Sequence, residues 1–154
     1  MAANKLYFVQ HGLAVSKTED PDRPLSAAGI KQTQNIAKQL LTSNVPISSI
    51  FHSGKLRAIQ TAEIIASTLN IKTVNPTDYL SPNDDITLIK QHLNVDNALY
   101  VGHLPHLEKL VSSLVTGKES HNVIKFQNSA TVCLEKNDNL FHILWYLTPL
   151  LTND

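Results

Sequence analysis

The sequence predicts an α/β fold in which a three-layer, doubly wound, mostly parallel sheet carries helices on both faces. Two observations predict it. Short β-prone runs alternate with longer segments whose apolar residues recur at helical spacing. Several of those runs also stop on a polar residue or a glycine directly before a helix begins, as the strands of an open parallel sheet do.

The first strand is read at roughly residues 5 to 10, Leu6-Tyr7-Phe8-Val9 ending on Gln10-His11-Gly12. A polar loop from Ser16 to Arg23 closes on Pro24, and Ser26 can cap a helix with Ile30, Ile36, Ala37, Leu40 and Leu41 on its apolar stripe. That helix ends near Asn44 to Pro46. Ile47 to Phe51 is a short strand, and Ser53-Gly54 turns into a second helix with Leu56, Ile59, Ala62, Ile65, Ala66 and Leu69 facing inward. Residues 71–75 form a third strand, after which Asp84 or Asp85 caps a helix bearing Ile86, Ile89 and Leu93. Ala98 to Val101 is a strand ending on Gly102-His103, and Pro105 starts a helix whose stripe is Leu107, Leu110, Val111, Leu114 and Val115. Segments 122–126, 130–135 and 140–146 are β-prone, with Asn137-Asp138-Asn139 a hairpin turn that brings antiparallel pairing to the C-terminal end.

The chain has 154 residues, enough for one domain with a core of ordinary size. Thirteen Lys and Arg balance thirteen Asp and Glu, so no net field favours nucleic acid or an anionic membrane as a partner. No apolar run approaches the ~20 residues of a membrane span, and the basic-then-apolar pattern of a signal peptide is missing. Cys133, the single cysteine, fits a reducing compartment. A cytoplasmic location is expected.

Three strand-to-helix junctions carry groups suited to phosphate: Gln10-His11, Ser53 with Arg57, and Gly102-His103. Ligands of open α/β sheets bind beyond the carboxyl ends of the strands, so these junctions can converge. Arg57, in the first turn of its helix, sets a guanidinium fork beside unpaired backbone N–H groups, a place suited to an anion. Each residue also has a bland reading, His11 and His103 as hydrogen-bonded structural histidines and Arg57 as a surface ion-pair partner. His103 and His106 are three apart, but Pro105 lies between them and no nearby carboxylate completes a metal shell, so no metal is expected. His106 is read as a helix-surface residue, Cys133 as core and Trp145 as a packing anchor.

These residues resemble the histidine phosphatase superfamily, and within it the small SixA-type phosphohistidine phosphatases. The resemblance runs through Gln10-His11-Gly12, Arg23-Pro24-Leu25-Ser26-Ala27-Ala28-Gly29, Ser53-Gly54-Lys55-Leu56-Arg57-Ala58-Ile59-Gln60-Thr61-Ala62, Val101-Gly102-His103-Leu104-Pro105 and Trp145-Tyr146-Leu147-Thr148-Pro149. It implies a phosphoglycerate mutase-like fold, one histidine phosphatase-like domain over residues 1–154 and no cofactor. By the same resemblance His11 is the nucleophile that becomes a phosphohistidine, and Arg57 and His103 hold the phosphoryl oxygens. Gln10, Gly12 and Ser53 border the substrate, Ser53 chiefly as a cap for the Arg57 helix. Asp84 and Asp85 are candidate general acids whose simpler role is helix capping. The implied partner is a phosphorylated substrate such as a histidine-phosphotransfer protein.

The sequence departs from the family motif at one place. Gln10 stands where the family has arginine, and an amide brings neither charge nor a bidentate fork. A weakened phosphatase, a phosphate-binding module without turnover, and a small-molecule phosphomonoesterase remain as readings.

Overall fold

The structure is a computed structural model, described for residues 4–151. Six strands form one sheet: β1 (Lys5–Gln10), β2 (Ser49–His52), β3 (Val74–Pro76), β4 (Ala98–Gly102), β5 (Thr131–Asn137) and β6 (Leu140–Leu147). Four helices join them: α1 (Ala27–Thr42), α2 (Leu56–Leu69), α3 (Ile86–Lys90) and α4 (His106–Thr116). The strand order is β3-β2-β4-β1-β5-β6. Pairs β1/β4, β2/β4 and β2/β3 are parallel, while β1/β5 and β5/β6 are antiparallel.

This order explains the two covered faces. From β1 the chain moves outward through α1 to β2 and through α2 to β3, then reverses through α3 to reach β4 between β2 and β1. Because parallel crossovers keep one hand, reversing direction puts α3 and α4 on the opposite face from α1 and α2. The alternation of β1 follows suit. Tyr7 and Val9 belong to the core under α1 and α2, with Ile36, Leu40, Ala62 and Ile65. Leu6 and Phe8 belong to the other core, with Ile89, Leu107, Leu110 and Leu114. β4 sits centrally, with all five residues buried.

Ser26 caps α1 by accepting from Gly29 N at 3.0 Å, and Asp85 caps α3 through Thr87 N. Asp138, at φ 60°, turns β5 into β6.

Several sequence expectations are corrected. Ile30 and Leu41 flank the buried stripe of α1 and are exposed; Ile36, Ala37 and Leu40 fill the core, with Thr33 and Gly29 at the close contacts. Leu56 is likewise exposed, and Ala58 and Thr61 take the inner face of α2. Segment 122–126 is irregular instead of a strand, because its backbone meets a side chain: Tyr146 Oη donates to Lys125 O at 2.9 Å and accepts from Gln127 N at 3.1 Å. His106 is only 1% exposed, buried at the start of α4 where a surface residue was expected. Cys133 is buried, and Trp145 is half-buried, its ring 6.0 Å from that of Tyr7.

Candidate active site

β1 delivers His11 to the carboxyl edge of the sheet, where His11 N donates to Gly102 O at 3.0 Å. That bond extends the β1/β4 pairing by one step and holds His11 beside the end of β4. Asn128 Nδ2 donates to the His11 carbonyl at 3.0 Å, and Gly12 N donates to Thr61 Oγ1 at 2.8 Å. Thr61 Oγ1 in turn donates to Arg57 O, so the backbone after His11 is fastened to α2. Gly12 is required here: a Cβ would lie 2.7 Å from Thr33 Oγ1 and 3.1 Å from Leu25 Cδ2.

The ring of His11 is also fixed. Its Nδ1 lies 2.7 Å from the Gly12 carbonyl oxygen. A carbonyl can only accept, so Nδ1 carries the hydrogen and Nε2 keeps its lone pair. The imidazole of His103 stands 4.9 Å away, centroid to centroid, at 48°. His103 Nε2 is 2.6 Å from Ser53 Oγ, while its Nδ1 is buried without a partner.

All three junctions therefore meet through His11, Ser53 and His103, and the second also contributes the charge of Arg57, which acts on both imidazoles. Arg57 lies in the first turn of α2, its Nε buried and unpartnered. Ser53 does not cap this helix. Lys55 is the N-cap residue and its side chain makes no capping bond, while Ser53 Oγ bonds His103 and accepts from Lys55 N at 3.3 Å. Gln10 is buried at the Gly102 register position, and its Oε1 has no partner.

Burial dominates the electrostatics. It pushes the His11 pKa down to about 4, helped by the charges of Arg57 and Arg23 and opposed by the bond to Gly12. His103 is pushed down to about 3, again first by burial, then by His11, Arg57, Lys55 and His106. Both imidazoles are neutral at pH 7. Arg57 is lowered by burial and by the neighbouring charge of Arg23.

Asp84 and Asp85 make no hydrogen bond to either imidazole. Asp84 Oδ2 accepts from Ser81 N at 2.9 Å, and its charge acts on His106. The exposed Asp85 accepts from Thr87 N and Thr87 Oγ1, which lower its pKa. Among the described residues no group of three or more His, Cys, Asp and Glu side chains is arranged to hold a metal ion. No helix among them is long and apolar enough to cross a membrane.

Thr61, Asn128, Lys55 and Arg23 were not singled out from sequence as site residues. Thr61 and Arg23 stand inside recognised motifs, so a signal existed for them. Asn128 lies in a loop far along the chain and carried none.

A model of the histidine phosphatase superfamily (branch 1) matches residues 6–81, the span from β1 to the loop after β3. The chain belongs to the histidine phosphatase superfamily. It is 30% identical to an uncharacterized protein of Picosynechococcus sp. over 128 residues, 77% of this chain and 78% of that one. It is 28% identical to the phosphohistidine phosphatase SixA of Escherichia coli over 154 residues, 94% of both chains. A solved structure of the protein histidine phosphatase SixA complexed with tungstate superposes with a TM-score of 0.83 at 24% identity, covering 95% of this chain and 97% of that one. The phosphoglycerate mutase-like architecture of these relatives is the one described above.

Proposed function

We propose that this protein is a metal-independent phosphatase that removes the phosphoryl group from protein phosphohistidine by way of His11. The observation that carries the reading is the 2.7 Å bond from His11 Nδ1 to Gly12 O, which leaves an unprotonated Nε2 in a site shared with His103 and Arg57. The Nε2 lone pair forms a bond to phosphorus as the phosphorus–nitrogen bond of the substrate breaks. The bonding pair leaves with the substrate imidazole, which takes a proton from solvent. Arg57 and the neutral His103 hold the equatorial oxygens, where charge spreads in the transition state. Water then attacks phosphorus, the bond to His11 breaks with its pair returning to Nε2, and inorganic phosphate leaves.

The similarity to a phosphohistidine phosphatase over nearly the whole chain supports this substrate class. So does the engagement of Asp84 and Asp85 in turn and cap bonds, since an imidazole leaving group needs less help from an acid than an alcohol does. Gln10 favours a second reading, a module that binds phosphorylated proteins without turning them over.

Incubating the protein with a phosphohistidine-bearing protein and, separately, with an aryl phosphate tests both, with chelator present. The expected result is dephosphorylation of the protein substrate, insensitive to chelator and lost in His11→Ala. Turnover of the aryl phosphate alone would indicate a small-molecule phosphomonoesterase, and binding without turnover would indicate the module. Full activity in His11→Ala would remove the covalent mechanism, and loss with chelator would bring in a metal.

A further inference from the structure

The two edges of the sheet differ. β3 is three residues long and ends on Pro76, which has no N–H to offer, so that edge is poorly suited to further pairing. β6 runs for eight residues, Leu140 to Leu147, without a proline, lysine, arginine or carboxylate, and among the described residues no strand lies on its outer side. Alternate N–H and C=O groups of its backbone therefore point away from the sheet. Leu140, Ile143 and Leu144 are exposed at 48%, 38% and 45%, so the edge is apolar as well as unpaired.

A bulge in β6 restricts what can pair with it. Trp145 is in register with Cys133 and Ile143 with Leu134, which leaves Leu144 as the extra residue. Side chains alternate on either side of the bulge but change parity across it. Leu140 and His142, opposite Asn137 and Glu135, thus share the α1/α2 face with Trp145 and Leu147, opposite Cys133 and Thr131. Phe141 and Tyr146 share the other face. Residues directly opposite one another in an antiparallel pair lie on one face. A twofold axis between Ile143 and Leu144 meets that condition, because it sets Leu140 against Leu147, Phe141 against Tyr146 and His142 against Trp145. Without the bulge each of these pairs would join opposite faces.

The α1/α2 face of this edge is also incompletely covered. A cleft of about 300 Å³ lies between the end of α1 and β6, with Leu40, Val45, Trp145 and Leu147 among its walls. In the twofold register the exposed Leu140 of a second copy comes to Leu147, a wall of that cleft. The chain has no net charge and β6 has no acid, lysine or arginine, so two copies meet there without repulsion.

We propose that β6 pairs antiparallel with β6 of a second copy about this axis, joining two six-stranded sheets into one across an apolar seam. The pairing stands apart from the phosphatase reading and does not depend on it.

Sedimentation velocity of the full chain over roughly 1 μM to 1 mM should show a concentration-dependent dimer. Ile143→Lys, which brings two lysines beside the axis, should weaken it at least about tenfold while leaving far-UV circular dichroism unchanged. Ile143→Lys mixed with Leu144→Glu should associate more tightly than either variant alone, because the introduced lysine and glutamate face each other across the axis. Hydrogen exchange of the wild-type β6 amides should slow as concentration rises, and it decides between the outcomes should the substitutions unfold the chain. A monomer throughout that range overturns the proposal, and uptake of an apolar strand peptide by that monomer would assign the edge to a different protein. A dimer indifferent to Ile143→Lys, a mixture no tighter than its components, or β6 amides that exchange alike at every concentration would overturn it too.

Discussion

The Gly12 carbonyl accepts from His11 Nδ1, and the Gly12 amide donates to Thr61, so one residue orients the ring and anchors the backbone behind it. Thr61→Val keeps the shape but leaves the buried Gly12 N–H unsatisfied, which should cost about 1–3 kcal/mol in denaturant unfolding and slow turnover. At position 10, Gln10→Arg should raise turnover of a phosphohistidine substrate in steady-state kinetics. The gain should reach at most the hundred- to thousandfold, or about 3 to 4 kcal/mol, associated with a whole transition-state donor. Sequence made His11 a candidate because a β-prone run ends on it beside a glycine. It could not show that its Nδ1 is occupied, since that depends on the path of the chain after Gly12.

At the scale of elements, α1 begins where the loop after His11 returns to the sheet, and two short contacts fix that return. Ser26 caps the helix and donates to Leu13 O, and a Cβ at Gly29 would lie only 2.1 Å from the same carbonyl oxygen. Ser26→Ala should therefore cost about 1 kcal/mol in thermal or denaturant unfolding. Gly29→Ala should cost more than the 1–3 kcal/mol or so of ordinary overpacking, because backbone and not a flexible side chain is in the way. The Ser26 cap and the course of α1 were legible, since capping residues and 3.6-residue spacing are local signals. Ile30 and Leu41 were misassigned because such spacing locates a stripe without fixing its edges. Segment 122–126 was misassigned because β-prone composition does not reveal that the Tyr146 hydroxyl holds that backbone.

For the whole molecule, buried histidines tie stability to pH: burial lowers His11, His103, His52 and His106 alike. The His11 and His103 pKa values lie near 4 and 3 when folded, against about 6.5 for histidine in an unfolded chain. Between those values the unfolded state binds more protons, so stability rises with pH there. The contribution is complete above about pH 6.5 and is lost progressively as pH falls towards 4. Unfolding curves from pH 7 to 4.5 should show a midpoint that falls with acidity and an uptake of protons on unfolding. His103→Gln should flatten that dependence, and a pH-independent midpoint would contradict the buried neutral state. Tungstate should oppose the acid loss, because an anion beside the imidazoles favours their protonated forms.

What the sequence determined by itself was the alternation of strands and helices, the residues on which the strands end, and the family to which the chain belongs, because all of these are carried by local spacing and composition. The tertiary structure decided which of those ends meet. Strand order sets β1 beside β4 and so brings His11 to His103, and the end of β2, on the other side of β4, brings Ser53 Oγ to His103 Nε2. Such contacts join residues far apart in the chain, and they depend on the order in which strands assemble, which no local pattern contains.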